Sequence, residues 1–208
     1  MLVIAVVNLK GGSTKTTTAA YLLHALSESG LSTLGVDSDP ENESLLRWGE
    51  LGDWSVPVVG LPVRDLHKRL NAVTRGIDAV VIDTPPMESA KGIVTSALRA
   101  ASHVVIPMSP TPMDFDRLGS VLEVVADVEA LRENPCIAAV LLTRVVTNAA
   151  SGDVYASAAA ELTQVLPARV ARKEQFAQGF GQPIVDALNT AYGDALGQLL
   201  DMKATATA

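Results

Sequence analysis

One cysteine, Cys136, is all that this chain of 208 residues contains. A single thiol closes no disulfide. It cannot complete a four-thiolate zinc or iron–sulfur site either, since two copies together would offer only two ligands. A reducing, cytoplasmic setting is the expectation. Aromatic residues are also scarce, at 4%, although 48% of the chain is hydrophobic. The core must therefore be built from Val, Leu, Ile and Ala, which is the texture of a parallel sheet covered by helices on both faces. Long apolar runs are missing. No stretch approaches the about 20 residues that a membrane-spanning helix needs. The N-terminal run gives way to a glycine-rich loop too early to read as a secretory leader. An excess of positive charge is absent as well. The formal charge of −7 argues against a chain that coats nucleic acid over its whole surface, while leaving a local basic patch open.

What is present is an alternation of short β-branched runs with longer helical stretches. Strands are predicted over residues 2–8, 32–39, 78–86, 104–108 and 136–145, with a weaker, proline-interrupted one in "VPVVGL". Helices are predicted over residues 15–29, closed by Gly30, and in "PENESLLRWGE", with Pro40 in its first turn. Others are predicted over 64–73, 114–133, 152–166 and 185–202. "PARVARKEQFAQGFGQPI" reads as a connecting region, and residues 203–208 as a frayed tail. With no internal repeat and no linker, this describes one α/β domain over residues 1–202, a single doubly wound, mostly parallel sheet with helices on both faces. Ligands of such sheets bind beyond the carboxyl ends of the strands.

Three chemical features fall there. The first is "NLKGGSTKTT", residues 8–17, between a strand and a helix. It ends like a phosphate loop, G-x-x-x-x-G-K-[ST], in Lys15 and Thr16, but Leu9 and Thr14 replace the two glycines and Lys10 is additional. Backbone N–H groups of such a turn and the positive end of the helix dipole point at phosphate oxygens. Lys15 is suited to the β- and γ-phosphates of ATP and the Thr16 hydroxyl to Mg²⁺. The second feature is Asp83, closing the apolar run "AVVI", where a carboxylate partners Mg²⁺ through water. The third is "VDSDP", whose Asp37 and Asp39 are two apart and can share a strand face. Asp37 is a further candidate for the metal, and one of the pair can orient a water for attack on a γ-phosphate. An Asx turn before Pro40 is the competing use of both.

Taken together, "KGGSTKTTTA", "VDSDPE", "VVIDTPP" and "VVIPMSPTPMDFDRLGSVLEVV" resemble the ParA/MinD group of deviant Walker-A ATPases. Within that group they look most like the small, ParF-like plasmid partition ATPases. The resemblance covers nearly the whole chain. It implies a P-loop ATPase using ATP and Mg²⁺, with a weak basal rate, that forms a homodimer on binding ATP. Lys10 matches the lysine that such proteins pass to the partner's phosphates, where a cation stabilises charge on the transferred group. Gly11, Gly12, Ser13 and the run from Lys15 to Thr17 match the phosphate wrap, with Thr14 inside it. Asp39 matches the water-orienting acid, Asp83 the Walker-B acid, and Thr143–Arg144 the adenine contact. The family's pattern has Gly where this chain has Thr14. If that site needs a positive φ, a β-branched residue is strained there.

The resemblance further implies a cytoplasmic, nucleoid-associated protein that binds DNA non-specifically and answers to a centromere-binding, ParB-type partner. Arg169, Arg172 and Lys173 in "ARVARKEQ" are the candidate DNA contacts. The same cycle applied to a non-DNA cargo, such as a microcompartment or protein cluster, is the alternative. A metabolic P-loop enzyme acting on a small molecule is a weaker third reading. A membrane-gripping C-terminus is not expected, because "ALGQLLDMKATATA" has one lysine and no bulky aromatic. The three histidines match no metal pattern, and Trp48 and Trp54 read as packing anchors. Arg64, His67, Lys68 and Arg69 read as a solvated helix face, with an additional DNA patch as the competing use.

Overall fold

The computed structural model describes residues 1–132 and 134–202. Its seven strands are β1 (Leu2–Val6), β2 (Thr33–Asp37), β3 (Val58–Gly60), β4 (Ala79–Asp83), β5 (His103–Met108), β6 (Ile137–Val145) and β7 (Gln164–Ala171). They form one parallel sheet in the order β3-β2-β4-β1-β5-β6-β7. The helices are α1 (Lys15–Glu28), α2 (Ser44–Leu51), α3 (Leu66–Val73), α4 (Met87–Ala100), α5 (Pro112–Glu129), α6 (Ser151–Ala160), α7 (Glu174–Ala177) and α8 (Ala191–Asp201).

Alternation along the strands divides the core. On β1, Ile4 and Val6 face the cluster holding Leu22, Leu26, Trp48 and Leu196 of α1, α2 and α8. Val3, Ala5 and Val7 face Leu66, Leu98 and Leu118 of α3, α4 and α5. Buried on both faces, the strands have no polar side to offer, which is why they read as unbroken Val/Ile/Leu runs. The register sets Val6 level with Asp83 and Asp83 level with Asp37. The loop after β1 and both acids are thus brought to one end of the sheet.

Several elements depart from the sequence expectation. Residues 164–171, predicted as the end of a helix and a connection, form β7. It is the edge strand, where Pro167 sacrifices no ladder bond that matters, and its pairing with β6 shifts register between Leu142 and Val145. Pro40 lies in a turn ahead of α2 rather than within it, because Asp39 captures the N–H groups of Glu41 and Asn42. Helix α5 starts at Pro112, with the Thr111 hydroxyl accepting from the Asp114 N–H at 3.3 Å, and ends at Glu129. Its predicted end, Glu133, lies outside the described residues, as does the predicted tail 203–208. The last helix is split. A 3-10 turn at Ala187–Asn189 precedes Thr190, which caps α8 by accepting from the Tyr192 N–H. Among the described residues no helix is long and apolar enough to cross a membrane.

Candidate functional site

The loop from Asn8 to Thr14 lies beside the switch in strand order, where β1 is flanked by β4 and β5. Its start is fastened at two points. The Asn8 amide donates to the Pro107 carbonyl at 2.6 Å, and the N–H groups of Met87 and Glu88 donate to the carbonyls of Asn8 and Leu9. Its far side turns through two left-handed residues, Gly12 at φ 73° and Thr14 at φ 64°. Glycine is at ease there and threonine is not: a β-branched side chain in this region costs on the order of 1–3 kcal/mol. The strain anticipated for Thr14 is therefore present. What accompanies it, and no motif announces, is a 3.0 Å hydrogen bond between the Thr14 and Thr143 hydroxyls that ties the loop to β6.

Lys15, buried at the first position of α1, folds back over the loop and donates to the Lys10 carbonyl at 2.9 Å. Burial lowers its pKa, with Asp83 and Asp39 opposing. The next residue, Thr16, donates its hydroxyl to Asp83 Oδ2 at 2.6 Å. Asp83 is 2% exposed, and its other oxygen is buried without a hydrogen-bond partner. Burial pushes its pKa up to about 7, against the pull of Thr16 and Lys15. A buried hydroxyl–carboxylate pair with one oxygen unspent, beside a loop of N–H groups, fits Mg²⁺ held jointly with a nucleotide's phosphates. Among the described residues no group of three or more His, Cys, Asp or Glu forms a self-sufficient metal site.

Asp37 and Asp39 do not share a face. Asp37, 1% exposed, accepts from the N–H of Asp39 on one oxygen and from those of Leu45 and Leu46 on the other. It anchors the N-terminus of α2, and burial raises its pKa despite these three bonds. With both oxygens occupied this way, it is withdrawn from the metal role proposed for it. Asp39 makes the Asx turn, yet it lines a cleft of about 430 Å³ together with Gly11, Gly12, Ser13 and the run from Thr14 to Thr17. The turn and the site role are compatible in one residue.

A larger cavity of about 630 Å³ adjoins this cleft and shares Thr14, Thr17 and Arg144 with it. Thr143 and Arg144 line it, and so do Phe176 and Tyr192, packed with Tyr21 in an aromatic trio at 5.0–5.3 Å. The three candidate DNA cations have different surroundings. Arg172 and Lys173 line this cavity. Arg169 lies on β7 and donates to the carbonyls of Leu166, Pro167 and Ala168. Lys10 stands half-exposed at the rim, 3.9 Å from Glu88. The remaining residues keep structural places. His24 packs edge-on against Trp54, and Trp48 donates to the Gln182 carbonyl.

A family described as the CobQ/CobB/MinD/ParA nucleotide binding domain matches residues 4–184. The chain is 31% identical over 143 residues to maintenance of carboxysome distribution protein A of Halothiobacillus neapolitanus, covering 67% of this chain and 64% of that protein. It is 28% identical over 146 residues to a ParA protein of Rhizobium radiobacter, covering 70% and 65%. It thus spans less than two thirds of the length of either relative. An ATP complex of Cyanothece McdA superposes with a TM-score of 0.78 at 18% identity, covering 99% of both chains. A match that begins in β1, takes in the phosphate loop and both acids and ends beyond α7 leaves one assignment: the chain belongs to the CobQ/CobB/MinD/ParA nucleotide binding domain family.

Proposed function

We propose that this protein is a ParA-like positioning ATPase that binds ATP with Mg²⁺, pairs with a second copy of itself and hydrolyses ATP slowly until a partner protein accelerates it. The observation that carries this reading is the loop from Lys10 to Thr17, with Thr16 bonded to the buried Asp83 and Lys10 left at the rim. In this reading the loop N–H groups and Lys15 hold the phosphates, Thr16 and Asp83 hold Mg²⁺, and Asp39 orients the attacking water. Thr143 and Arg144 border the base. Bound Mg²⁺ supplies neutralisation of the phosphate charge. The Lys10 side chain points away from the loop to Glu88, 3.9 Å off, and is half-exposed. Its side chain is free to leave Glu88 for a partner's nucleotide, a cation delivered where transferred charge builds up.

A non-DNA cargo, such as a protein microcompartment, is the favoured load, supported by the carboxysome-distribution relatives. Plasmid or chromosome partition with a ParB-type partner is the second reading, supported by the ParA relative. Both use the same cycle and place the protein in the cytoplasm, at the nucleoid. The test is sedimentation of the Asp39→Ala protein with and without ATP and Mg²⁺, beside the Lys10→Ala protein. ATP is expected to convert Asp39→Ala to a dimer and to leave Lys10→Ala without stimulated hydrolysis. A monomer indifferent to ATP in both variants refutes the mechanism.

A further inference from the structure

Three cations, Arg144, Arg172 and Lys173, line the cavity of about 630 Å³ that adjoins the phosphate cleft. Two strand ends bring them there. Val145 of β6 is level with Ala171 of β7, and the Arg172 N–H donates to the Val145 carbonyl at 2.8 Å. Arg144 sits at the register shift between Leu142 and Val145, in the left-handed region at φ 54°. Irregular pairing and a strained backbone of this kind re-aim a side chain beside a site. Arg144 also lines the phosphate cleft, so it stands where the two spaces meet.

The charge of these three residues is unanswered. Among the described residues none of them has an ion-pair partner. Asp114 is the one described acid that lines the cavity, and it is engaged by Arg117 at 3.5 Å. Arg144 acts electrostatically on the Tyr192 phenol, a group that is neutral near pH 7. ATP does not supply the missing anion. In the reading proposed above, its phosphates lie in the cleft against the loop and Lys15, and only the uncharged nucleoside enters the cavity. Arg144, at the junction, can face the inner end of the phosphate chain, which leaves Arg172 and Lys173 with nothing to neutralise. The cavity is by itself as large as many whole small-molecule sites.

We propose that this cavity receives a second kind of nucleotide, one that carries a phosphate on its ribose in addition to the 5′ chain, with Arg172 and Lys173 holding the added group. The inference rests on the reading of the loop as a nucleotide site. A phosphate monoester carries close to two negative charges and three acceptor oxygens, which an arginine fork and a neighbouring ammonium match. Its 5′ chain occupies the same loop as that of ATP, so the two compete. The supply of the ribose-phosphorylated nucleotide then sets how much of the protein enters the ATP cycle.

The test is titration calorimetry of the full chain in Mg²⁺ with two matched pairs of ligands. One pair is ADP and adenosine 3′-phosphate 5′-diphosphate; the other is GDP and guanosine 3′,5′-bis(diphosphate). In at least one pair the ribose-phosphorylated member is expected to bind about five- to tenfold tighter, the gain of two exposed ion pairs. An advantage in the adenosine pair assigns an adenine ligand, and one in the guanosine pair a guanine ligand. In the Arg172→Gln, Lys173→Gln protein the ratio within the pair should fall to about one. Single Arg172→Gln and Lys173→Gln variants, each expected to lower it about two- to threefold, carry the test if the double variant fails to fold. The Lys91→Gln, Arg99→Gln protein loses the same charge from α4 and should keep the wild-type ratio. A wild-type ratio of one in both pairs overturns the proposal and leaves the nucleotide site itself standing. A ratio that survives in the double variant overturns it too, as does one lost equally in the α4 variant. Failure of ADP and GDP alike to bind overturns it together with the reading it rests on.

Discussion

Replacing Asp83 by Asn removes a buried charge and keeps the shape around it. In the ligand-free protein the Asp83 pKa is raised from the ordinary 3.8 to about 7, chiefly by burial. At about 1.4 kcal/mol per pKa unit, an ionised Asp83 at pH 8 opposes folding by about 4 kcal/mol relative to the unfolded chain. The sign follows from the direction. A folded value above the unfolded one gives a contribution that is complete below about pH 4 and is lost as pH rises through about 7. Asparagine has no such dependence. Its carbonyl still accepts from Thr16, but its amide takes the place of an oxygen that has no partner, and a stranded amide costs about 1–3 kcal/mol. Asp83→Asn should therefore be more stable than wild type by about 1–3 kcal/mol at pH 8, and equal or less stable at pH 5. Urea unfolding at both pH values, in EDTA and without nucleotide, measures the difference. A variant less stable at pH 8, or a difference that does not change between the two pH values, refutes the assignment of Asp83 as an uncompensated buried acid. The same variant should lose the thermal shift that ATP and Mg²⁺ give the wild type, which separates what the carboxylate does for binding from what it costs the fold.

Asp37 should behave in the opposite way. Asp37→Ala strands the N–H groups of Asp39, Leu45 and Leu46 and should cost about 2 kcal/mol or more in EDTA, with Asp37→Asn costing about half as much; apo-protein stability unaffected by either change would return Asp37 to the metal role. For Thr14, glycine relieves the left-handed strain at φ 64° but gives up the hydroxyl bond to Thr143, and the two effects should cancel to within about 1 kcal/mol in thermal or urea unfolding. Thr14→Val gives up the same hydroxyl bond but keeps the left-handed strain, so it should be the less stable of the two by about 1–3 kcal/mol; the reverse order would mean that the left-handed conformation carries no strain here.

Buried parallel strands, a phosphate loop and a strand-terminal acid announce themselves locally, and the β1–α1 unit with Asp83 was legible in the sequence for that reason. The edge strand β7 was not. Pro167 and the alanine-rich run before it mimic the end of a helix, and only pairing with β6 makes that stretch extended. The sheet pairs Asp37 with Asp83 across β2 and β4, but no local signal says which of the Asp37 oxygens will meet the N-terminus of α2. The bond from Thr14 to Thr143 spans 129 positions, beyond any motif. Side-chain engagement is hidden in the same way: Arg172 and Lys173 line the larger cavity while Arg169 is bonded to carbonyls of its own strand, and Arg64 and Lys91, far apart in sequence, line one surface.

Asp37 and Asp39 show how a spacing of two can yield one fixed part and one that can move. Strand β2 ends at Asp37, so period-two alternation stops before it reaches Asp39. The first carboxylate sinks into the sheet end and fixes α2 through two N–H groups. The second sits on a turn whose bonds, to Glu41 and Asn42, are local and exposed. Exposed bonds within four residues are easily exchanged for water or ligand, whereas the buried Asp37 bonds are not. An acid that must orient a water during one phase of a cycle belongs on the exchangeable element, set against a neighbour that cannot shift. The division between Asp37 and Asp39 meets that requirement of the proposed cycle: the Asp39 turn can exchange its bonds while those of Asp37 keep α2 on the sheet.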